Sequence, residues 1–119
     1  MSCYNEPLQW IRLSIQSILE QTFKDFELIV VCDNPDYSEG LAHIREVCHS
    51  DSRVRLIVNE TNLGPTKSFN IAIAASNGEY IARMDADDIA LPERFARQVE
   101  YLDSHPHISV CATDTHAID

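Results

Sequence analysis

Glu79-Tyr80-Ile81-Ala82-Arg83-Met84-Asp85-Ala86-Asp87-Asp88 sets the reading of the whole chain. A short, mostly apolar run with strand character ends abruptly in the carboxylates of Asp85, Asp87 and Asp88. Crowding like charges where a buried strand emerges is costly unless something positive sits among them. A hard divalent cation meets that need, since Mg²⁺ or Mn²⁺ commonly takes one or two carboxylates plus substrate phosphates. On an extended backbone Asp85 and Asp87 point the same way and Ala86 points oppositely. Asp88 falls where the chain turns and is free to face elsewhere. A helix cap is the plain alternative, because Leu91-Pro92-Glu93 announces a helix. A cap uses one acid and leaves the other two without a role.

Outward from this stretch, strands and helices alternate. Upstream, Glu27–Cys32 is a continuous apolar run, which points to a strand covered on both faces. Val54–Val58 reads as the next strand. A helix precedes the first of these, with Leu8, Ile11, Ile15, Ile18 and Leu19 on one face and Gln9, Arg12, Gln16 and Glu20 on the other. Leu41, Ile44, Val47 and Cys48 outline a second helix. The Asn59–Pro65 loop feeds a third, with Phe69, Ala72 and Ile73 inward and Asn77-Gly78 as a left-handed C-cap. Downstream of the acids, Pro92 suits the first turn of a helix whose buried stripe is Phe95, Val99 and Leu102. His105-Pro106 stops it, and Ile108–Ala112 reads as a further strand. This rhythm predicts right-handed βαβ units and a mainly parallel sheet. Ligands of such sheets bind outside the carboxyl ends of the strands. Asn5, Asp33 with Asp36, the Asn62–Lys67 loop, and Asp85 with Asp87 all follow strands. One shared crevice is therefore predicted.

Composition narrows the ligand. The chain has 119 residues, enough for one domain and no more, and a net charge of −10. Its lysines are Lys24 and Lys67. That balance argues against nucleic acid and anionic membrane surfaces, and it requires a cation to bridge any phosphorylated ligand. No apolar run approaches the roughly 20 residues of a membrane span, and no charged-then-apolar leader opens the sequence. Cys3, Cys32, Cys48 and Cys111 show no zinc-type spacing. Cys32 and Cys111 lie in apolar runs, where small buried thiols are common. Reduced cysteines and a cytoplasmic setting follow, with the inner face of the membrane as a location for a longer form. The histidines are scattered singly and read as surface or loop residues.

With these residues assembled, the chain resembles the family-2 glycosyltransferases, whose nucleotide-sugar-binding fold is called GT-A. The resemblance rests on Tyr4-Asn5-Glu6, Ser17 through Val31, Asn62-Leu63-Gly64, Asn70, Gly78-Glu79-Tyr80-Ile81 and Met84-Asp85-Ala86-Asp87-Asp88, followed by Pro92-Glu93-Arg94 and Gln98. It runs over essentially the whole chain. A bare D-x-D is common by chance; this order and spacing together are specific. The resemblance implies an α/β, Rossmann-like three-layer sandwich, with residues 1–119 as the nucleotide-sugar-binding portion of a GT-A domain. It implies Asp87 as the chief ligand of Mn²⁺ or Mg²⁺ on the donor diphosphate, and Asp85 on the metal and on ribose or sugar hydroxyls. Asp33 matches the acid that accepts a hydrogen bond from the nucleotide base, with a uridine diphosphate sugar favoured. Tyr4 matches the base pocket, where stacking tolerates any base. Lys67 is placed near the diphosphate, beside the alternative of an exposed helix-start lysine. Asn5, Glu6 and Asn70 fit turn and cap roles equally well.

Two departures from the family pattern bear on function. Family members commonly carry two consecutive acids and Gly-Ser-Thr-Asp after the second strand, whereas here Cys32-Asp33-Asn34-Pro35-Asp36 stands there. Most of the family's apolar first strand is also absent, so Met1 reads as an internal methionine and the domain as cut short at both ends. The implied reaction has an acceptor hydroxyl, of a glycan or similar molecule, attack the anomeric carbon with inversion. That needs a general base, and nothing about the late acids Asp114 and Asp119 marks one. The expectation is a donor-binding half without its acceptor half. The rivals are a nucleotide-binding module without transfer activity and a receiver-like or phosphatase-like Mg²⁺ pocket. These last two usually place key acids after the first strand, where Tyr4-Asn5-Glu6 stands. Unpaired sheet edges also leave a homodimer open.

Overall fold

A computed structural model describes residues 1–117. Among them are three strands and four helices: β1 (Ser2–Cys3), α1 (Leu8–Leu19), β2 (Leu28–Cys32), α2 (Ser38–Ser50), β3 (Val54–Val58), α3 (Pro65–Ala75) and α4 (Arg94–Ser104). The strands are parallel in the order β1-β2-β3. Every residue of β2 is buried, as its unbroken apolar run requires, so both faces of the sheet are covered. Ile11, Ile15 and Ile18 of α1 are at most 1% exposed and join Leu41 and Ile44 of α2 in the core. Each such side chain contributes about 1.5–3 kcal/mol by leaving water. No helix among the described residues is long and apolar enough to cross a membrane.

Several predicted elements differ. Glu79–Met84 forms no ladder; its sheet contact is an isolated parallel bridge between Ser2 and Asp85. A strand needs a partner of matching length, and β1 offers Ser2–Cys3. The segment is fastened through side chains instead, with the Tyr80 hydroxyl donating to Asp103 Oδ1 at 2.7 Å. Ile108–Ala112 likewise pairs with no strand among the described residues, and Val110 is 82% exposed. The left-handed C-cap expected at Asn77-Gly78 does not form. Ser76, in extended conformation, ends α3, and the positive φ belongs to Gly64, at 83°. The α3 terminus is satisfied without a left-handed turn: Ser76 Oγ donates to the Ile73 carbonyl, and Asn77 N donates to Glu27 Oε1. Ile73 is exposed, Phe69 is half-buried, and Ser68 is the buried residue of this helix. Pro92 lies in a turn before α4, where its carbonyl accepts from Thr22 N at 2.8 Å.

Candidate functional site

The carboxyl ends of β1 and β2 and the bridge at Asp85 open onto a crevice of about 440 Å³. Tyr4, Asp33, Asn62, Arg83, Asp85 and Asp87 all line it. The convergence expected from strand order is therefore present for Asp33, Asn62, Asp85 and Asp87. Asn5, Asp36 and Lys67 are not brought in. Asn5 accepts from the Asn34 side chain, Asp36 N is held in a turn by Asn34 Oδ1, and Lys67 is exposed in the first turn of α3.

Asp33 organises one wall. It follows β2 and is 3% exposed. Its Oδ1 accepts from Asn59 Nδ2 at 2.7 Å and from Leu63 N at 2.8 Å, while Oδ2 accepts from Gly64 N at 2.7 Å. Burial pushes its carboxyl up, but the donors of Asn59, Leu63, Gly64 and Ser68 outweigh that and hold it below the usual range. The Asn62-Leu63-Gly64 loop is thus clamped by one carboxylate at the point where Gly64 turns into α3. A carboxylate offers about four lone-pair sites, and these donors take them, so a ligand N–H would displace one of the four.

The acidic loop forms the opposite wall, held by two helices. Ser14 Oγ donates to the Asp85 carbonyl at 3.1 Å, and Ser17 Oγ accepts from Ala90 N at 3.0 Å. Gln21, fully buried beyond the end of α1, donates to the Leu91 carbonyl at 2.8 Å and accepts from Phe95 N at 3.0 Å. Arg94 of α4 donates to the Arg83 carbonyl at 2.8 Å. Polar residues on an otherwise apolar helix face therefore fix the backbone that carries Asp85 and Asp87. Neither Asp87 nor Asp88 caps α4, which begins after Glu93 and has no side-chain cap bond.

Something positive does sit among the acids. Arg83 Nη2 lies 3.2 Å and 3.3 Å from the two oxygens of Asp85, and its guanidinium carbon is 4.6 Å from the centre of the Phe69 ring. Sequence reading passed over Arg83 as a site residue. The signal was available, because Arg83 and Asp85 are two apart on extended chain and share a side. Asp87 is exposed at the rim. Among the described residues, no three His, Cys, Asp or Glu side chains converge in metal-binding geometry. Two hard carboxylates beside an open crevice fit Mg²⁺ or Mn²⁺, which complete their shell with phosphate and water. They do not fit a closed structural zinc site.

Comparison with known proteins agrees with this architecture. The chain is 42% identical over all its 119 residues to an uncharacterized glycosyltransferase, MJ1057, of Methanocaldococcus jannaschii, and spans 41% of that protein's length. Among solved structures it superposes on S. aureus TarS 1-349 in complex with UDP (TM-score 0.78, 24% identity, 89% of this chain and 32% of that one). It also superposes on the mannosyltransferase PcManGT from Pyrobaculum calidifontis in complex with GDP-Man and Mn2+ (TM-score 0.72, 19% identity, 85% of this chain and 31% of that one). These likenesses show the GT-A fold. The family model for Glycosyl transferase family 2 matches residues 1–118, and the chain belongs to that family.

Proposed function

We propose that this chain supplies the donor site for metal-dependent transfer of a sugar, with inversion, from a nucleotide sugar to an acceptor hydroxyl. The observation that carries the reading is the meeting of Tyr4, Asp33, Asp85 and Asp87 in one crevice at the carboxyl ends of parallel strands. The solved relatives bound to UDP, and to GDP-Man with Mn2+, support the ligand class. A uridine diphosphate sugar is the favoured donor.

The roles follow from position. Tyr4, 44% exposed at the end of β1, offers a ring for the base to stack upon. Asp33 would accept from a base N–H in place of one of its present donors and, through Leu63 and Gly64, shapes the wall beside it. Asp87, with Asp85, would hold Mn²⁺ or Mg²⁺, and Asp85 is also within the lining for ribose or sugar hydroxyls. Lys67 reaches the diphosphate only by swinging in from its exposed turn. When bound, the cation offsets charge that builds on the leaving diphosphate, more in the transition state than in the ground state. The crevice residues bind and orient the donor; no carboxylate of this chain is assigned as the general base. The free thiols of Cys3, Cys32, Cys48 and Cys111 fit a cytoplasmic setting.

Calorimetry of UDP with and without Mn²⁺ tests the proposal. Wild-type protein is expected to bind UDP only with Mn²⁺, and Asp87→Ala to lose about tenfold or more of that affinity, the scale of a charge-assisted contact. Metal-independent binding, or an unaffected Asp87→Ala, would remove the donor-site reading. Sugar release from UDP-sugars by the wild type distinguishes a transferase site from a binding module.

A further inference from the structure

We propose that Arg83 is an exchangeable counter-ion that makes metal and nucleotide load together, an inference that rests on the donor-site reading. Its Nη2 carries both contacts to Asp85, so most of a five-donor fork remains available. The pair is loosely held, with side chains 68% and 45% exposed. Stacking on Phe69 supplies the steadier anchor, because a guanidinium over a ring keeps that contact while its edge changes partner. Phe69, Arg83 and Asp85 all face the same crevice.

A guanidinium and a divalent cation compete for the Asp85 carboxylate. In the unliganded site Arg83 neutralises Asp85 and opposes entry of the metal alone. A diphosphate removes the competition, because it gives the planar guanidinium fork a bidentate anion of its own. Arg83 then leaves Asp85 to the cation and closes on the phosphates. Metal and nucleotide should each raise the other's affinity by the same factor. In a chain of net charge −10, this keeps the carboxylates from loading a divalent ion without substrate.

The test is a pair of titrations on wild type, Arg83→Gln and Arg83→Lys: Mn²⁺ alone, then UDP at saturating Mn²⁺. Arg83→Gln is expected to bind Mn²⁺ alone about two- to fivefold more tightly, the range for an exposed ion pair removed. It should bind UDP at saturating Mn²⁺ about tenfold more weakly. Arg83→Lys keeps the charge without the fork, so it should suppress Mn²⁺ as wild type does yet recover only part of the UDP affinity. Unchanged or weaker Mn²⁺ binding by Arg83→Gln overturns the inference. If wild type binds UDP with Mn²⁺ and Arg83→Gln matches it throughout, the counter-ion role alone falls. If wild type binds no UDP, the donor-site reading falls and this inference with it.

Discussion

At the scale of the residue, the site is a matter of how carboxylates are satisfied. Asp85 has Arg83, and Asp33 has the amides of Leu63 and Gly64 with the Asn59 side chain. Asp87, at the rim, is the one left for a ligand in the proposed function. Asp33→Asn puts an NH₂ group where an acceptor is required, so at least one of the three N–H groups now faces a donor. The variant is expected to be about 1–3 kcal/mol less stable at neutral pH by chemical denaturation. The sign with pH follows from the depressed carboxyl of the folded state. Its stabilisation is complete above the ordinary Asp value near 3.9 and is lost as pH falls through the lower folded value. The gap between wild type and variant should therefore narrow in acid; a gap that widens there would contradict the clamp. Asp33 was legible as a residue of the crevice because it follows β2. Its structural duty was not, because the partners that engage it, Asn59 and the Leu63–Gly64 amides, are 26 to 31 residues away.

At the scale of the element, apolar periodicity was read correctly wherever one partner dictated it. Ile11, Ile15 and Ile18 of the α1 stripe and Leu28–Cys32 of the β2 run are buried as spaced, while Leu8 and Leu19 are half-buried. Periodicity failed where the deciding partner was polar or missing. In α3, Ser68 is drawn inward by Asn59 Nδ2 at 3.0 Å, and Ile73 is left exposed. In Glu79–Met84 the strand-forming residues have no ladder to join. Gln21 makes the same point from the other side. It lies beyond the apolar stripe of α1, yet it is fully buried and ties the end of α1 to the start of α4. Gln21→Ala would strand the Leu91 carbonyl and the Phe95 amide and leave a void. A loss of about 2–4 kcal/mol is expected, with faster hydrogen exchange at Phe95 than in β2. A loss confined to global stability, with Phe95 exchange no faster than that of β2, would mean Gln21 fills space and does not join the helices.

At the scale of the whole molecule, charge sets how a donor would arrive in the proposed function. Nineteen acidic residues face nine basic ones, and Glu6, Asp33, Asp85 and Asp87 stand at the crevice against Arg83. A nucleoside diphosphate approaching this surface meets a field of its own sign, even when a cation leaves it with a smaller net charge. Screening should therefore help association, the reverse of the behaviour of basic nucleotide-binding surfaces. Between about 0.02 M and about 0.2 M salt the Debye length falls from about 20 Å to about 7 Å. Long-range repulsion is removed over that interval, whereas contacts inside the crevice are screened far less. Stopped-flow measurement with a fluorescent UDP analogue and saturating Mn²⁺ is expected to show a severalfold rise in association rate across it. The dissociation rate should change little, because it reports the short contacts. An association rate that falls with salt would show that the local cations, Arg83 and the metal, outweigh the acidic envelope. The donor would then be drawn in from a distance and not merely tolerated once it has arrived.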